Sequence, residues 1–347
     1  MKKAILFCNL PYSFSILQPI RDELIKRGFE YLWYVPSELI SSFTLADDYI
    51  TSDIKNLEMF DSDMIFVPGN DLPWYLKGVK IQIFHGLAGE KKGHFRIRDY
   101  FDLYLTQGPY FTKRFEKLAE KHNNFSVIET GWCKLDKLYI PDDNIKRKKM
   151  KMLQKSKARK IIVYAPTFSP SLTSAQKLLE QIVNISKKDE YLVIVKFHDK
   201  MNKDICKYYE KKSNRKFIIL KDDDIIVALK IADLLVSDTS SVVYEFLLLN
   251  KPVVTLQSRS ENIVWEDIKT PQELEKTIYN TLFINDRYRT KRDDIIKQYH
   301  PYIDGKSAYR MVEAALSYID KFGVPKKREI SFIRKLKMIK KYGLFRW

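Results

Sequence analysis

Residues 232–254 read Ala-Asp-Leu-Leu-Val-Ser-Asp-Thr-Ser-Ser-Val-Val-Tyr-Glu-Phe-Leu-Leu-Leu-Asn-Lys-Pro-Val-Val. The apolar run 234–236 has strand length. It leads into Ser237, Asp238, Thr239, Ser240 and Ser241, and a helical pattern follows at 241–249. A second apolar run begins after Pro252. Strand, short polar loop, helix and strand in this order is the unit from which parallel sheets are built. A helix start offers unpaired N–H groups and the positive end of a dipole, and hydroxyls add donors without bulk. One Ser or Thr suffices for a plain N-cap. Four hydroxyls in the five residues 237–241 exceed that need and favour a phosphate ligand.

Working outward, the same alternation fills the chain. Behind the loop, strands are expected at 161–164, 192–197, 217–220, 234–237 and 253–256. Helices are expected at 205–211, 225–231, 241–249, 272–283 and 308–321. In the first half, strands are expected at 4–8, 31–35, 64–67, 81–84 and 103–105, with helices at 17–27, ending at Gly28, and 110–121. Strands that read as unbroken apolar runs are buried on both faces, so the fold class is α/β, with two doubly wound parallel-sheet domains and a cleft where they meet. Residues 146–160 hold nine Lys/Arg and no acid and divide the two regions. The expected organisation is therefore 1–145 as a first α/β domain, 146–160 as a basic linker, 161–325 as a second α/β domain and 326–347 as a basic tail. The start of the chain reads as a first buried strand rather than a signal peptide, because Asn9 and Pro11 break its apolar run.

Composition bounds the function. The 347 residues are 45% hydrophobic and 30% charged, with 21 Tyr and 20 Phe but only 11 Gly and 13 Pro. That is a globular balance and excludes disordered and collagen-like classes. Three well-separated cysteines, Cys8, Cys133 and Cys206, exclude a disulfide framework or a four-cysteine zinc site and fit a reducing compartment. No run approaches the ~20 apolar residues a membrane span needs. Net charge is +17, which favours an anionic partner without choosing among nucleic acid, lipid and phosphorylated substrate. Neither GxGxxG nor GxxxxGK[ST] occurs, which weighs against dinucleotide enzymes and P-loop NTPases.

In open α/β sheets ligands sit beyond the carboxyl ends of strands. His85 stands there, in Phe84-His-Gly-Leu-Ala-Gly-Glu-Lys-Lys-Gly-His. It is either a general base or a turn histidine. Gly86 permits close approach, and Lys91 and Lys92 offer acceptor or anion contacts. His85 and His94 are wrongly spaced for zinc, so no metal site is expected. His198, in Val195-Lys-Phe-His-Asp-Lys, shares a strand face with Lys196, so both can reach one phosphate. Residues 164–171, Tyr-Ala-Pro-Thr-Phe-Ser-Pro-Ser, read as a rigid loop presenting Thr167 and Ser169, or as a plain turn. Asp222, Asp223 and Asp224 either hold a cation or cap the next helix. Asp304-Gly-Lys-Ser is likewise a cap or an anion contact.

Taken in order, several segments resemble the CDP-glycerol glycerophosphotransferases of teichoic acid and capsule polymer synthesis. They are Phe84-His-Gly-Leu-Ala with its lysines, Thr106-Gln-Gly-Pro-Tyr-Phe, Glu129-Thr-Gly-Trp-Cys-Lys-Leu-Asp, Val163-Tyr-Ala-Pro-Thr-Phe, Lys196-Phe-His, the 232–254 block and Asp304-Gly-Lys-Ser. The resemblance covers about residues 80–320 and implies a GT-B fold of two Rossmann-like domains, 1–145 taking the acceptor and 161–325 the nucleotide donor. It implies transfer of an alditol phosphate, glycerol phosphate foremost, from a CDP-activated donor to a hydroxyl of a polymer or lipid-linked acceptor, with release of CMP and no cofactor. His85 becomes the catalytic base. His198, the second candidate catalytic residue, contacts the donor pyrophosphate with Ser240 and Ser241. Asp238 supports that loop, and Ser237, Thr239 and Glu245 join the donor set. The chain departs from the family pattern at Leu87-Ala, Ser169-Pro, Asp199 and Thr239, which bears on the substrate more than on the fold.

The tail 326–347 holds nine Lys/Arg against one Glu. In a helix, Phe332, Ile333, Leu336, Ile339 and Gly343 share one side, with Arg334, Lys335, Lys337 and Lys341 on the other. Such a helix either lies on anionic lipid, placing the protein at the inner face of the cell membrane, or packs back on the protein. Three rivals share parts of this pattern: a GT-B glycosyltransferase using a nucleotide sugar, a nucleotide-sugar epimerase, and a nucleic-acid-binding protein. The last lacks any recognised nucleic-acid motif, so no nucleic-acid partner is expected.

Overall fold

Val, Ile, Leu and Phe dominate the short runs that form the strands, and their branched and aromatic side chains pack well on a pleated surface. The computed structural model of the chain describes residues 1–43, 48–87, 93–198, 200–221, 225–260 and 263–343. It divides into two units, Met1–Tyr139 with Gln298–Trp347, and Ile140–Lys297.

The first unit contains β1 (Lys3–Phe7), β2 (Glu30–Tyr34), β3 (Ile50–Thr51), β4 (Met64–Val67), β5 (Val79–Gln82), β6 (Leu103–Thr106) and β7 (Ser126–Glu129). They form one parallel sheet in the order β3-β2-β1-β4-β5-β6-β7. Ile5 pairs with Leu32 on one side and Ile65 on the other. The second unit contains β8 (Lys160–Tyr164), β9 (Tyr191–Val195), β10 (Phe217–Ile219), β11 (Leu234–Ser237), β12 (Val253–Leu256) and β13 (Glu266–Ile268). Its order is β10-β9-β8-β11-β12-β13, again all parallel. Both orders are the doubly wound 3-2-1-4-5-6 arrangement, with a seventh strand added in the first unit. The winding reverses between β1 and β4, and between β8 and β11. Those two points are where such sheets place ligands.

The domain boundaries differ from the sequence expectation in two ways. The basic run at 146–160 is not a linker. Most of it is the helix Asp143–Ser156, whose start is capped by Asp142 accepting from Asn144 N–H at 2.9 Å and Ile145 N–H at 3.2 Å. Lys149 ties it to Asp233 at 2.6 Å. The second difference is at 298–325, which belongs to the first unit. There the buried Asp136 carboxylate accepts from Ser307 and Ala308 N–H at 2.9 and 2.8 Å, fixing the start of the helix Ser307–Phe322. His300 Nε2 accepts from Trp132 N–H at 2.9 Å in the same unit.

The tail is a helix, Phe332–Tyr342, that packs on the first unit. Ile330, Met338 and Tyr342 enter its core, with the Tyr342 ring edge-on to Phe7 at 5.9 Å. Arg328 anchors the approach to this helix on the buried Asp102, at 2.8 Å from Nε. Lys341 bonds Asp71 at 2.8 Å, and Arg334 pairs with Asp99. The opposite side exposes Phe332, Ile333 and Leu336 at 72%, 68% and 48%. The helix therefore both packs back on the protein and presents an apolar, lysine-flanked face.

Candidate functional site

In the second unit the polar residues gather at the carboxyl ends of four neighbouring strands, β9, β8, β11 and β12. Asp238 follows β11 and is buried. Its Oδ1 accepts from Thr167 N–H at 2.9 Å, and its Oδ2 from Ser174 N–H and Oγ at 2.8 Å each. It thereby clamps the loop after β8 against the loop after β11, across the reversal point. Burial pushes its carboxyl upward from the usual range, and the donors from Ser174 and Thr167 oppose that shift. Ser237 is fully buried and donates to Ala165 O at 2.7 Å. Thr239 Oγ1 accepts from Arg259 N–H at 2.9 Å, binding the loop after β12 to the same cluster. Glu245 is buried in the helix Val242–Leu247.

Of the hydroxyls singled out from sequence, those of Ser237 and Thr239 thus hold loops together. Ser240 and Ser241 are half-buried, and among the described residues their hydroxyls make no hydrogen bond. Thr167 and Ser169 are also half-buried, on the loop that Asp238 clamps. Lys196 lies just past β9 with its Nζ on Lys221 O at 3.0 Å. His198 is exposed, and its ring lies 4.4 Å from that of Phe168. His198 Nδ1 accepts from Lys200 N–H at 3.1 Å. An amide N–H only donates, so the neutral ring carries its proton on Nε2 and presents a donor there. That polarity suits an anion.

In the first unit His85 is exposed beyond β5. Its Nδ1 lies 3.2 Å from Pro68 O, which only accepts, so Nδ1 holds the proton and Nε2 is the basic nitrogen. This is the opposite polarity to His198, and it suits proton abstraction. Three contacts hold the loop around it. Trp132 Nε1 donates to Phe84 O at 3.3 Å, Gln107 Nε2 donates to Gly86 O at 3.1 Å, and the Tyr12 ring lies 5.5 Å from the imidazole. Phe84 has φ +60°, a left-handed conformation rare for a bulky residue and found where surrounding structure over-determines the backbone. This bend ends β5 at Gln82, two residues earlier than the sequence implied. A Cβ on Gly86 would meet nothing within 4 Å. Lys91 and Lys92 lie outside the described residues, as do Asp199 and Asp222–Asp224.

His94 stacks on Phe84 at 5.2 Å, and burial pushes its pKa down to about 4, so it is neutral packing. Asp304 is an ion-pair and turn residue: it accepts from Arg310 at 2.8 Å and from Lys306 N–H at 3.1 Å. Among the described residues, no three His, Cys, Asp or Glu side chains group as a metal site would require. Asn9, Tyr12, Asn70, Gln82, Gln107 and Trp132 also stand at the carboxyl edge of the first sheet or against the His85 loop, and none of them carries a role in the sequence reading. The signal was positional: apart from Trp132 and Tyr12, each sits at or just past the end of β1, β4, β5 or β6.

A family profile described as CDP-glycerol:poly(glycerophosphate) glycerophosphotransferase matches residues 78–262, a span that contains His85, His198 and the serine-rich loop. The teichoic acid glycerol-phosphate primase of Bacillus subtilis is 28% identical over 193 residues, 50% of this chain and 49% of that protein. The primase of Bacillus spizizenii is 40% identical over 102 residues, 28% of this chain and 25% of that protein. The matches thus span half or less of these relatives' length. Among solved structures, the wall teichoic acid polymerase TagF soaked with CDPG superposes with a TM-score of 0.67 at 15% identity, covering 92% of this chain and 89% of that one. The UDP complex of S. aureus MnaA reaches 0.66 at 16% identity, covering 96% and 100%. These likenesses establish the GT-B fold that the two sheets already indicate. By the match that spans more than half of its length, the chain belongs to the CDP-glycerol:poly(glycerophosphate) glycerophosphotransferase family.

Proposed function

We propose that this protein transfers glycerol phosphate, or a related alditol phosphate, from a CDP-activated donor to a hydroxyl of a cell-surface polymer or its lipid-linked precursor. The acceptor oxygen attacks the alditol-side phosphorus of the pyrophosphate, and the P–O bond to CMP breaks. The acceptor proton passes to His85 Nε2, and CMP leaves carrying the negative charge. The barrier falls if that growing charge is met by fixed donors. Those donors are His198 Nε2–H, Lys196 and the hydroxyls of Ser240 and Ser241. Thr167 and Ser169 complete the donor set, on a loop whose shape depends on Asp238, Ser237 and Thr239. Gly86, Lys91 and Lys92 are the proposed acceptor-side contacts.

The observation that supports this reading most is the opposite polarity of the two histidines, each set by a backbone group. One is arranged to take a proton and the other to give a hydrogen bond. The testing experiment incubates the full chain with CDP-glycerol, CDP-ribitol and UDP-sugars and measures the nucleotide released. CMP release that depends on an added acceptor supports the reading. UDP release would instead assign a nucleotide-sugar glycosyltransferase.

We also propose that the helix Phe332–Tyr342 rests on anionic lipid at the inner face of the membrane. Phe332, Ile333 and Leu336 enter the headgroup boundary, and Lys335, Lys337 and Lys340 meet the charge. Among the described residues no helix is long and apolar enough to cross a membrane. Replacing all three apolar residues by Glu should leave folding intact and abolish co-sedimentation with phosphatidylglycerol vesicles. Undiminished sedimentation would refute the docking.

A further inference from the structure

Gln82 ends β5 and Gln107 follows β6, and these strands are neighbours. Both side chains are enclosed, with Gln82 2% and Gln107 0% exposed. Each amide nitrogen is occupied: Gln82 Nε2 donates to Asn70 Oδ1 at 3.4 Å and Gln107 Nε2 to Gly86 O at 3.1 Å. Neither Oε1 has a hydrogen-bond partner among the described residues. Asn9 Oδ1, beyond β1 on the same sheet edge, is unpartnered as well. Buried polar atoms are nearly always satisfied, and leaving one unmade is costly. Two unsatisfied acceptors, one at the end of β5 and one just past the end of its neighbour β6, at the edge where α/β sheets take ligands, point to a ligand that supplies the missing donors.

Their position ties them to the reacting group. Gln82 lies three residues before His85, and Gln107 grips the carbonyl directly after it. Their chemistry narrows the ligand. An amide oxygen accepts and repels other acceptors, so phosphate and carboxylate oxygens are unsuited to it. A neutral hydroxyl fits.

We propose that Gln82 and Gln107 form a hydroxyl-reading subsite beside the His85 loop, which binds the polyol end of the acceptor, a vicinal diol. The diol supplies the donors that the two amide oxygens lack, and one of its hydroxyls is presented to His85. The subsite rests on the reading of His85 as the base that activates the acceptor.

The test compares two soluble probes, methyl glycerol phosphate, which ends in a diol, and methyl 3-hydroxypropyl phosphate, which lacks one hydroxyl. With CDP-glycerol as donor, the full chain should prefer the diol. Gln82→Met and Gln107→Met keep the side-chain length but remove the acceptor oxygen. Each should raise the KM for the diol about three- to tenfold, the worth of one neutral hydrogen bond. The KM for CDP-glycerol should not move, and the preference over the deoxy probe should shrink. Variants that lower Tm while keeping that preference would mean that the amides hold only a structural water, and the subsite would be overturned. Saturation-transfer NMR of methyl glycerol phosphate with the intact chain separates this proposal from the donor assignment. Binding that is lost in Gln82→Met supports the subsite even if CDP-glycerol proves not to be the donor. Absence of binding to the unaltered protein overturns it.

Discussion

Acidification should loosen the first unit through its buried imidazoles, His94 and His300, and His300 is the one whose share can be isolated. It is fully buried, its Nε2 accepts from Trp132 N–H at 2.9 Å, and its ring stacks on Tyr139 at 5.9 Å. Burial pushes its pKa down from 6.5 to about 4. An imidazolium cannot accept a hydrogen bond, so protonation also removes the Trp132 contact. The unfolded chain takes up this proton near pH 6.5 and the folded chain only near 4, so stability falls as pH drops through that window. From those two values the loss relative to pH 7 is about 1.2 kcal/mol at pH 5.5 and about 2.4 kcal/mol at pH 4.5. The consequence reaches the site, because Trp132 Nε1 holds Phe84 O next to His85. Urea unfolding at pH 7, 5.5 and 4.5 reads the effect. His300→Gln retains an acceptor for Trp132 but does not titrate. It should cost about 1 kcal/mol at pH 7 and remove roughly 2 kcal/mol of the acid-induced loss by pH 4.5. Parallel pH profiles for the two proteins would refute the reasoning.

Two further outcomes follow from single contacts. Arg328→Ala leaves the Asp102 carboxylate buried without its cation, which should destabilise the first unit by about 3 kcal/mol in urea unfolding and free the tail helix to proteolysis. Unchanged unfolding would mean that Arg328 only decorates the surface. Asp238→Ala removes all three acceptor contacts that bridge the β8 and β11 loops, so donor affinity should fall at least tenfold by calorimetry, with a stability loss of about 3 kcal/mol. Full affinity for CDP-glycerol in that variant would detach the clamp from the donor site.

The central strands were legible because parallel strands buried on both faces are continuous apolar runs. Those at Met64–Val67, Leu234–Ser237 and Val253–Leu256 begin and end where the sequence placed them. Ser126–Glu129 and Glu266–Ile268 were not, because edge strands are half-solvated and carry polar residues. The helix Asp143–Ser156 was hidden by its own lysines, although Asp142 is an N-cap signal in plain view. The return of 298–325 to the first unit depends on contacts such as Asp136 with Ser307, some 170 residues apart, which no local pattern encodes. Within the serine-rich loop, composition marked the place but not the division of labour. Which hydroxyl closes onto Ala165 O or Arg259 N–H depends on neighbouring strands, and that is tertiary information. The same holds for the histidines: their sequence positions suggested function, while Pro68 O and Lys200 N–H decide which nitrogen is basic.

The most direct test pairs transfer kinetics with donor calorimetry for His85→Ala and His198→Ala. Removing the base should cut CMP-releasing transfer by about 10²–10⁴-fold and leave CDP-glycerol affinity intact. Removing the anion-facing donor should weaken CDP-glycerol binding as well as turnover. Near-normal turnover in His85→Ala, or unaltered donor binding in His198→Ala, would contradict the roles assigned to the two rings.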